Sequence, residues 1–136
     1  MISPCVDIHS HEGEGFKILV QYQSWRTAML NTSTANRLDS FGYVERHRET
    51  DEVFVLLRGT AYLIIGGDTE KPDSYEVLPM DLCKTYNVRV NVWHGVIMSV
   101  DASLYIVENI NTGKDNSDHY YLASMEKELI LSHISL

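Results

Sequence analysis

The feature that most constrains the fold of this chain is the regular spacing of its short apolar segments. Such segments recur about every 8–12 residues, and turn-forming Gly, Pro, Asn and Asp residues separate them. They occupy residues 16–30, 52–57, 60–65, 74–78, 96–100 and 104–107. This spacing, with turn signals between the segments, predicts an all-β sandwich or barrel.

Two of these segments are separated only by the dipeptide Arg58-Gly59. The runs EVFVLL at 52–57 and TAYLII at 60–65 predict a tight hairpin at that point. A further stretch, VRVNVW at 88–93, alternates strictly, which predicts a strand with its valines on one face.

Helical character is confined to the tail. Leu122, Met125 and Leu129 are spaced i, i+3 and i+7, which predicts a short C-terminal helix with a cap at Asn116 or Ser117. The alternative is that residues 120–122 form a last strand. We expect one domain over 1–136, with a core barrel at about 16–110, an N-terminal arm at 1–15 and a C-terminal tail at 114–136.

Composition narrows the classes of partner. The 136 residues are 44% apolar and 22% charged, which suits one globular domain. A net charge of −8 argues against nucleic acid and anionic membranes, since both need basic patches. The two cysteines are far apart with no CxxC, and the N-terminus has no signal-peptide pattern, so we expect a cytoplasmic protein.

The stretch ERHRETDE at 45–52 concentrates titratable groups beside the apolar core. Residues two apart on a strand share a face, so Glu45 and His47 point together while Arg46 and Arg48 point to the opposite face. If the connection folds back, Glu52 joins the first two. Two carboxylates and an imidazole are suitable ligands for a divalent first-row metal.

This stretch resembles the first motif of the cupin superfamily, G-x5-H-x-H-x3–4-E-x6-G. His47 matches the second histidine, four residues separate it from Glu52, and six separate Glu52 from Gly59. Glu45 stands where the motif has its first histidine, and Asp39 where it has its first glycine. In the fainter second motif, His94 matches the histidine, but Asn91, Arg89 and Met98 depart from the pattern.

The resemblance implies a double-stranded β-helix, or jelly-roll barrel, with one metal ion inside. Carried over position by position, the ligands are Glu45, His47, Glu52 and His94. A carboxylate in place of an imidazole favours Mn, Fe, Ni or Zn over softer ions. The alternative is a metal-free pocket in which these groups pair with nearby arginines.

Several further residues are candidates for the site. Trp93, Tyr62 and Arg89 are candidates for the substrate pocket, with Trp93 as a platform for a ring. Glu49 competes with Glu52 if the motif is read in a slipped register. His9 and His11 form an HxH pattern that looks like a metal pair, but its position before the first strand favours an exposed or subunit-contacting N-terminal arm. His119 and His133 are predicted to be surface residues. Residues 108–112 are predicted to form a plain turn, with a pocket rim as the alternative.

Two functional hypotheses follow. In the first, a small cupin binds one divalent metal and acts on a small polar metabolite by isomerase, lyase or dioxygenase chemistry. The chain is similar to the ureidoglycolate lyase-like and sugar-isomerase branches, and no motif decides between them. In the second, the barrel is a non-enzymatic binding or dimerisation module. Under both we expect a homodimer, with 16–30 as the interface, and no nucleic-acid or membrane partner.

Overall fold

The chain folds into two antiparallel five-stranded sheets and one short helix. The computed structural model describes residues 4–136, so the first three residues of the predicted N-terminal arm lie outside the described residues. The strands are β1 Gly15–Tyr22, β2 Trp25–Asn31, β3 Tyr43–His47, β4 Glu52–Arg58, β5 Ala61–Ile65, β6 Glu76–Pro79, β7 Thr85–Val88, β8 His94–Met98, β9 Ser103–Asn109 and β10 Ser117–Tyr121; the helix α1 is Ser124–Leu131.

The order of strands confirms the predicted all-β jelly-roll class. The first sheet has the order β1-β2-β9-β4-β7, and the second has the order β10-β3-β8-β5-β6. Every strand pair in both sheets is antiparallel. Consecutive strands repeatedly switch sheets, so most pairings join segments that are distant in sequence.

The connection at Gly59 shows this switching, and it corrects one prediction. β4 pairs with β7 and β9 in the first sheet, whereas β5 pairs with β6 and β8 in the second, so the predicted hairpin between residues 52–57 and 60–65 is wrong. Gly59 makes the crossing with a φ of 76°, a region that disfavours side chains. A Cβ at this position would lie 2.6 Å from Ala102 Cα.

The predicted strand at 88–93 is also wrong, because a turn interrupts it. β7 ends at Val88 and β8 begins at His94. Between them Asn91 has a φ of 67°, a conformation that Asn tolerates better than most residues, and its N–H donates to the His47 carbonyl at 2.8 Å. The alternating valines at 88, 90 and 92 therefore do not belong to one strand.

The tail contains both a strand and a helix. β10 pairs with β3, and the helix starts later than predicted, with Ala123 at its N-cap; the predicted cap at Asn116 or Ser117 is wrong. Met125 and Leu129 are exposed, and Ile130 is the buried residue of α1. Within residues 4–136, no helix has the length and apolar character needed to cross a membrane.

Apolar side chains form two separate cores. One lies between the sheets and includes Phe54, Leu56, Val96, Leu104 and Ile106. The other lies on the outer face of the second sheet, where α1 and the loop before β3 cover the outward residues of that sheet; its buried members are Phe41, Val44, Ile64, Trp93, Ile97, Leu122 and Ile130. Alternation along β5 and β8 supplies both cores from the same strands, and β3 adds Val44 to the outer core.

Replacing Gly59 with Ala tests the crossing between sheets. We expect Gly59→Ala to lower the free energy of unfolding by about 2–4 kcal/mol, because a side chain is strained at this φ and would also collide with Ala102. Urea unfolding followed by circular dichroism measures the change. Gly42→Ala is the control, since its Cβ would meet only ordinary contacts at 3.8 Å, and we expect it to cost less than about 1 kcal/mol. Equal costs for the two variants would contradict this account.

Candidate metal centre

Four side chains converge between the two sheets near one end of the barrel. Glu45 and His47 lie on β3, His94 begins β8, and Glu52 begins β4. One ligand atom from each lies within 4.8 Å of the others. The structure therefore brings together the four residues that the cupin motifs predicted.

Strand alternation accounts for this convergence. Glu45 is the register partner of His94 in the second sheet, and His47 lies two residues further along the same face. Arg46 and Arg48 point outward, as predicted, where both contact Asp118; the Arg46 Nε to Asp118 Oδ2 distance is 2.9 Å. Glu52 comes from the facing sheet and meets the histidines across the interior.

The Glu52 carboxylate is the centre of the hydrogen bonding. Its Oε1 lies 2.9 Å from His47 Nε2 and 2.9 Å from His94 Nε2. Burial alone would raise the pKa of Glu52, but the bonds and charges of the two histidines hold that pKa well below its usual range. Burial likewise lowers the pKa of each histidine, and the hydrogen bond and charge of Glu52 outweigh it, so both pKa values are raised.

The outer nitrogens of the histidines are also held. His94 Nδ1 lies 2.8 Å from the Val92 carbonyl, which can only accept, so Nδ1 carries a proton. If the ring is neutral, His94 Nε2 carries no proton, and its lone pair points at the Glu52 carboxylate. His47 Nδ1 lies 2.7 Å from Ser117 Oγ. Such bonds to the outer nitrogen are the usual way in which metal-binding histidines are oriented.

The donor set therefore fits a divalent ion. A lone pair facing a carboxylate at hydrogen-bond distance is repulsive, and either a proton on His94 Nε2 or a cation between the groups removes the conflict. Zinc-like ions bind nitrogen and oxygen ligands at about 2.0–2.2 Å, so two ligand atoms of one ion lie at most about 4.4 Å apart, and the four atoms here lie within 4.8 Å of one another. Among residues 4–136, this is the one cluster with such a geometry.

A cavity of about 360 Å³ opens onto the cluster. The side chains of His47, Glu52 and His94 keep only 7%, 6% and 3% of their exposure, whereas Glu45 keeps 33%. Access to the cluster is therefore from the Glu45 side. Apolar residues form much of the wall: Leu30, Phe41, Phe54, Val96 and Ile106.

A buried ion pair, which the sequence did not reveal, lies beside the cluster. Arg26 on β2 donates to Glu108 Oε2 on β9 from Nε at 2.8 Å and from Nη2 at 2.5 Å, and the two residues are register partners. Burial and the neighbouring Glu52 carboxylate raise the pKa of Glu108 to about 7, against the effect of Arg26. Glu108 was predicted to start a turn, yet it ends the inward series Leu104, Ile106, Glu108 of β9.

His119, predicted to be a surface residue, also lines the cavity. Its Nε2 lies 3.1 Å from Glu45 Oε2, and its ring stacks on Tyr43 with centroids 4.7 Å apart. Its side chain nevertheless keeps 44% of its exposure, so it is also a surface residue, as predicted. Sequence spacing contained no signal for this contact, because it depends on β10 pairing with β3.

The three residues predicted for the substrate pocket lie elsewhere. Trp93 is adjacent to His94, so it points to the opposite face, where its ring is buried under Arg46 and its Nε1 donates to the Thr69 carbonyl at 2.9 Å. Tyr62 points outward by the same alternation and donates to the Ser135 carbonyl. Arg89 lines a separate groove with β5–β7 residues.

The remaining alternatives also fall outside the cluster. Glu49, the competitor of Glu52, is exposed and accepts a bond from Asn111 Nδ2 at 3.3 Å. His11 lies in the N-terminal arm with Nε2 2.9 Å from the Gly15 carbonyl, and His9 is exposed.

Comparisons with known proteins agree with this geometry. A family model described as ureidoglycolate lyase matches residues 8–128. The structure is similar to that of a Streptomyces PAC13 variant with uridine (TM-score 0.59, 12% identity, 84% of each chain). It is also similar to KdgF from Halomonas sp. (0.52, 12%, 71% of this chain and 78% of that chain). A cupin-2 domain containing protein from Shewanella frigidimarina has a TM-score of 0.50 at 17% identity, over 74% of this chain and 84% of that chain.

No curated protein matches the chain significantly. Identities this low show the fold alone, and they confirm the predicted cupin fold.

The Arg26–Glu108 pair yields a stability prediction. We expect Arg26→Met to lower the free energy of unfolding by about 3–5 kcal/mol, because it leaves Glu108 buried without its cation. Adding Glu108→Gln should recover part of that loss, so a double-mutant cycle by urea unfolding should give at least about 1 kcal/mol of coupling. Arg58→Met, an exposed arginine, is the control and should cost about 0.5 kcal/mol or less. Additive effects of the two substitutions would contradict the pairing.

Proposed function

The chain belongs to the ureidoglycolate lyase family, and from that premise we propose that it is a metal-dependent lyase acting on a small 2-hydroxy acid of the ureidoglycolate type. The observation that carries the proposal is the convergence of Glu45, His47, Glu52 and His94 at the end of one cavity. PAC13, which shares the fold, is described as a nucleoside dehydratase, so this fold also accommodates elimination chemistry in another protein.

The four residues divide into a buried group and an accessible one. His47, Glu52 and His94 would hold the ion from the interior, and Glu45 would hold it from the side open to the cavity. When bound, a divalent ion supplies Lewis acidity that lowers the cost of negative charge on a substrate oxygen. Two carboxylates and two imidazoles favour Mn, Fe, Ni or Zn.

The rest of the cavity suits a small anionic substrate. Its volume of about 360 Å³ is near the lower end of the ~300–1,000 Å³ usual for small-molecule sites. Lys114 lines it and matches a substrate carboxylate in charge, whereas Arg26, which also lines it, is already paired with Glu108. The apolar wall formed with Phe41 and Phe54 limits the water around the reacting carbon.

The reaction expected of such a substrate is an elimination at the carbon that carries both hydroxyl and ureido groups. The hydroxyl loses its proton and becomes a carbonyl, the carbon–nitrogen bond breaks, and the leaving nitrogen takes up a proton. The products are glyoxylate and urea, and no oxidant or reductant is required.

A second candidate function is a metal-free binding module. The observation that favours it is that Glu52 already accepts from both His47 and His94, so protonated histidines alone can neutralise the buried carboxylate. The pocket would then bind a small anion without chemistry.

Elemental analysis of protein purified without chelator separates the two functions. For the lyase we expect about one transition-metal ion per chain, and glyoxylate release from ureidoglycolate that a chelator abolishes. Glu52→Gln and His94→Ala should each lose the metal and the activity, because each removes a ligand from the buried side.

Glu49→Gln is the matched control, since Glu49 is the nearby carboxylate that lies outside the cluster. It should retain both metal and activity. Protein with no metal, and ligand binding unaffected by His94→Ala, would overturn the lyase proposal. If the protein contains stoichiometric metal but releases no glyoxylate, the metal site stands and ureidoglycolate is excluded as the substrate.

We also propose that the chain forms a homodimer through the outer face of the first sheet. Two cross-strand rows of uncharged side chains lie there, and we call them the outer rows: Thr27, Val107 and Val53 in one, and Met29, Tyr105 and Val55 in the other. The helix α1 covers the equivalent face of the second sheet and not this one. A second copy is the partner that fits, because two chains of charge −8 can meet at an uncharged surface without bringing like charges together.

Val55→Glu tests the dimer. We expect the native protein to sediment at about twice its 15.5 kDa chain mass and the variant to sediment as a folded monomer, because a dimer would bury two facing carboxylates. Circular dichroism checks that the variant is folded. Val100→Glu places the same charge on an exposed turn and should remain dimeric. A native monomer, or a dimer that survives Val55→Glu, contradicts this interface.

A further inference from the structure

His119 is placed directly opposite the one metal-ligand position that departs from the cupin motif. It is the register partner of Glu45 across β10 and β3. Its Nε2 lies 3.1 Å from Glu45 Oε2, and because a carboxylate only accepts, this nitrogen carries the proton.

The two oxygens of Glu45 face different partners. Oε1 points into the cluster, 3.7 Å from His47 Nε2, while Oε2 is the oxygen bonded to His119. A glutamate has one more rotatable side-chain bond than a histidine, and Glu45 is the least buried of the four cluster residues. Holding Oε1 in place therefore costs side-chain entropy unless another group fixes the carboxylate.

The orientation of His119 is itself fixed. Its ring stacks on Tyr43, with centroids 4.7 Å apart and planes 24° from parallel, and meets Tyr121 edge-on at 6.4 Å. Tyr43 begins the strand that carries Glu45, so donor and acceptor are attached to one rigid pair of strands.

We propose that His119 is a positioning residue: its Nε2–H holds Glu45 Oε2 so that Oε1 faces the ion, and the Glu45–His119 pair replaces the histidine of the cupin motif. This inference rests on the proposed metal site. Groups that hydrogen-bond a metal ligand commonly contribute about 10–100-fold to metal affinity, and His119 is in the position to do so.

The test measures Co²⁺ binding to metal-free protein by chelator competition, with the visible absorption of bound Co²⁺ as a second readout. His119→Phe keeps an aromatic ring against Tyr43 but cannot donate. We expect it to weaken binding about 10–100-fold and to change the absorption spectrum, because Glu45 is no longer oriented. His119→Gln restores a donor and should bind within about threefold of the native protein. His133→Phe, at an exposed histidine in the tail, is the control and should bind as the native protein does.

The outcomes separate this inference from the proposed function. Native protein that binds Co²⁺ while His119→Phe binds equally well, with an unchanged spectrum, overturns the role of His119 and leaves the metal site intact. Equal losses in His119→Phe and His119→Gln, in variants whose thermal unfolding matches the native protein, also overturn it, because a hydrogen-bond donor alone would then not suffice. Native protein that binds no Co²⁺ overturns both.

Discussion

The site depends on the two hydrogen bonds that the buried Glu52 carboxylate forms with His47 and His94. Glu52 comes from the first sheet, and His47 and His94 come from the second, so its two 2.9 Å contacts join the sheets across the interior. A buried carboxylate costs several kcal/mol unless it is paired. A buried Glu52 carboxylate therefore requires the two imidazoles beside it. These imidazoles must either be protonated or bind a cation together with the carboxylate. The hydrophobic core of Phe54, Leu56 and Leu104 holds the sheets at that separation.

The two sheets use their outer faces differently, and this asymmetry shapes the molecule. Strands β5 and β8 are apolar on both faces, because one face supplies the interior and the other packs under α1. Trp93 belongs to this second core, as does the half-buried Tyr62 that packs against it. Within residues 4–136 no helix lies over the first sheet, so its outer rows remain available for association.

Much of the site followed from residue spacing and a known motif. Alternation placed Glu45 and His47 on the inner face with Arg46 outside, and motif spacing added Glu52 and His94. The position of Trp93 next to His94 argues against Trp93 in the pocket, since successive side chains of an extended chain point to opposite sides. Alternation would also have predicted that Glu108 points inward, because it continues the inward series of Leu104 and Ile106.

Residue spacing alone sets which residues share a face, because strand alternation is a local property of two peptide units. It therefore predicted a β barrel with an acidic, histidine-containing interior. Which strands are neighbours depends on the folded chain: β4 lies beside β9 and not β5, and β10 lies beside β3. Pairing between distant segments is selected by packing and hydrogen bonding of the whole chain, which no local pattern records. The Arg26–Glu108 pair and the contact of His119 with Glu45 exist only because of those pairings.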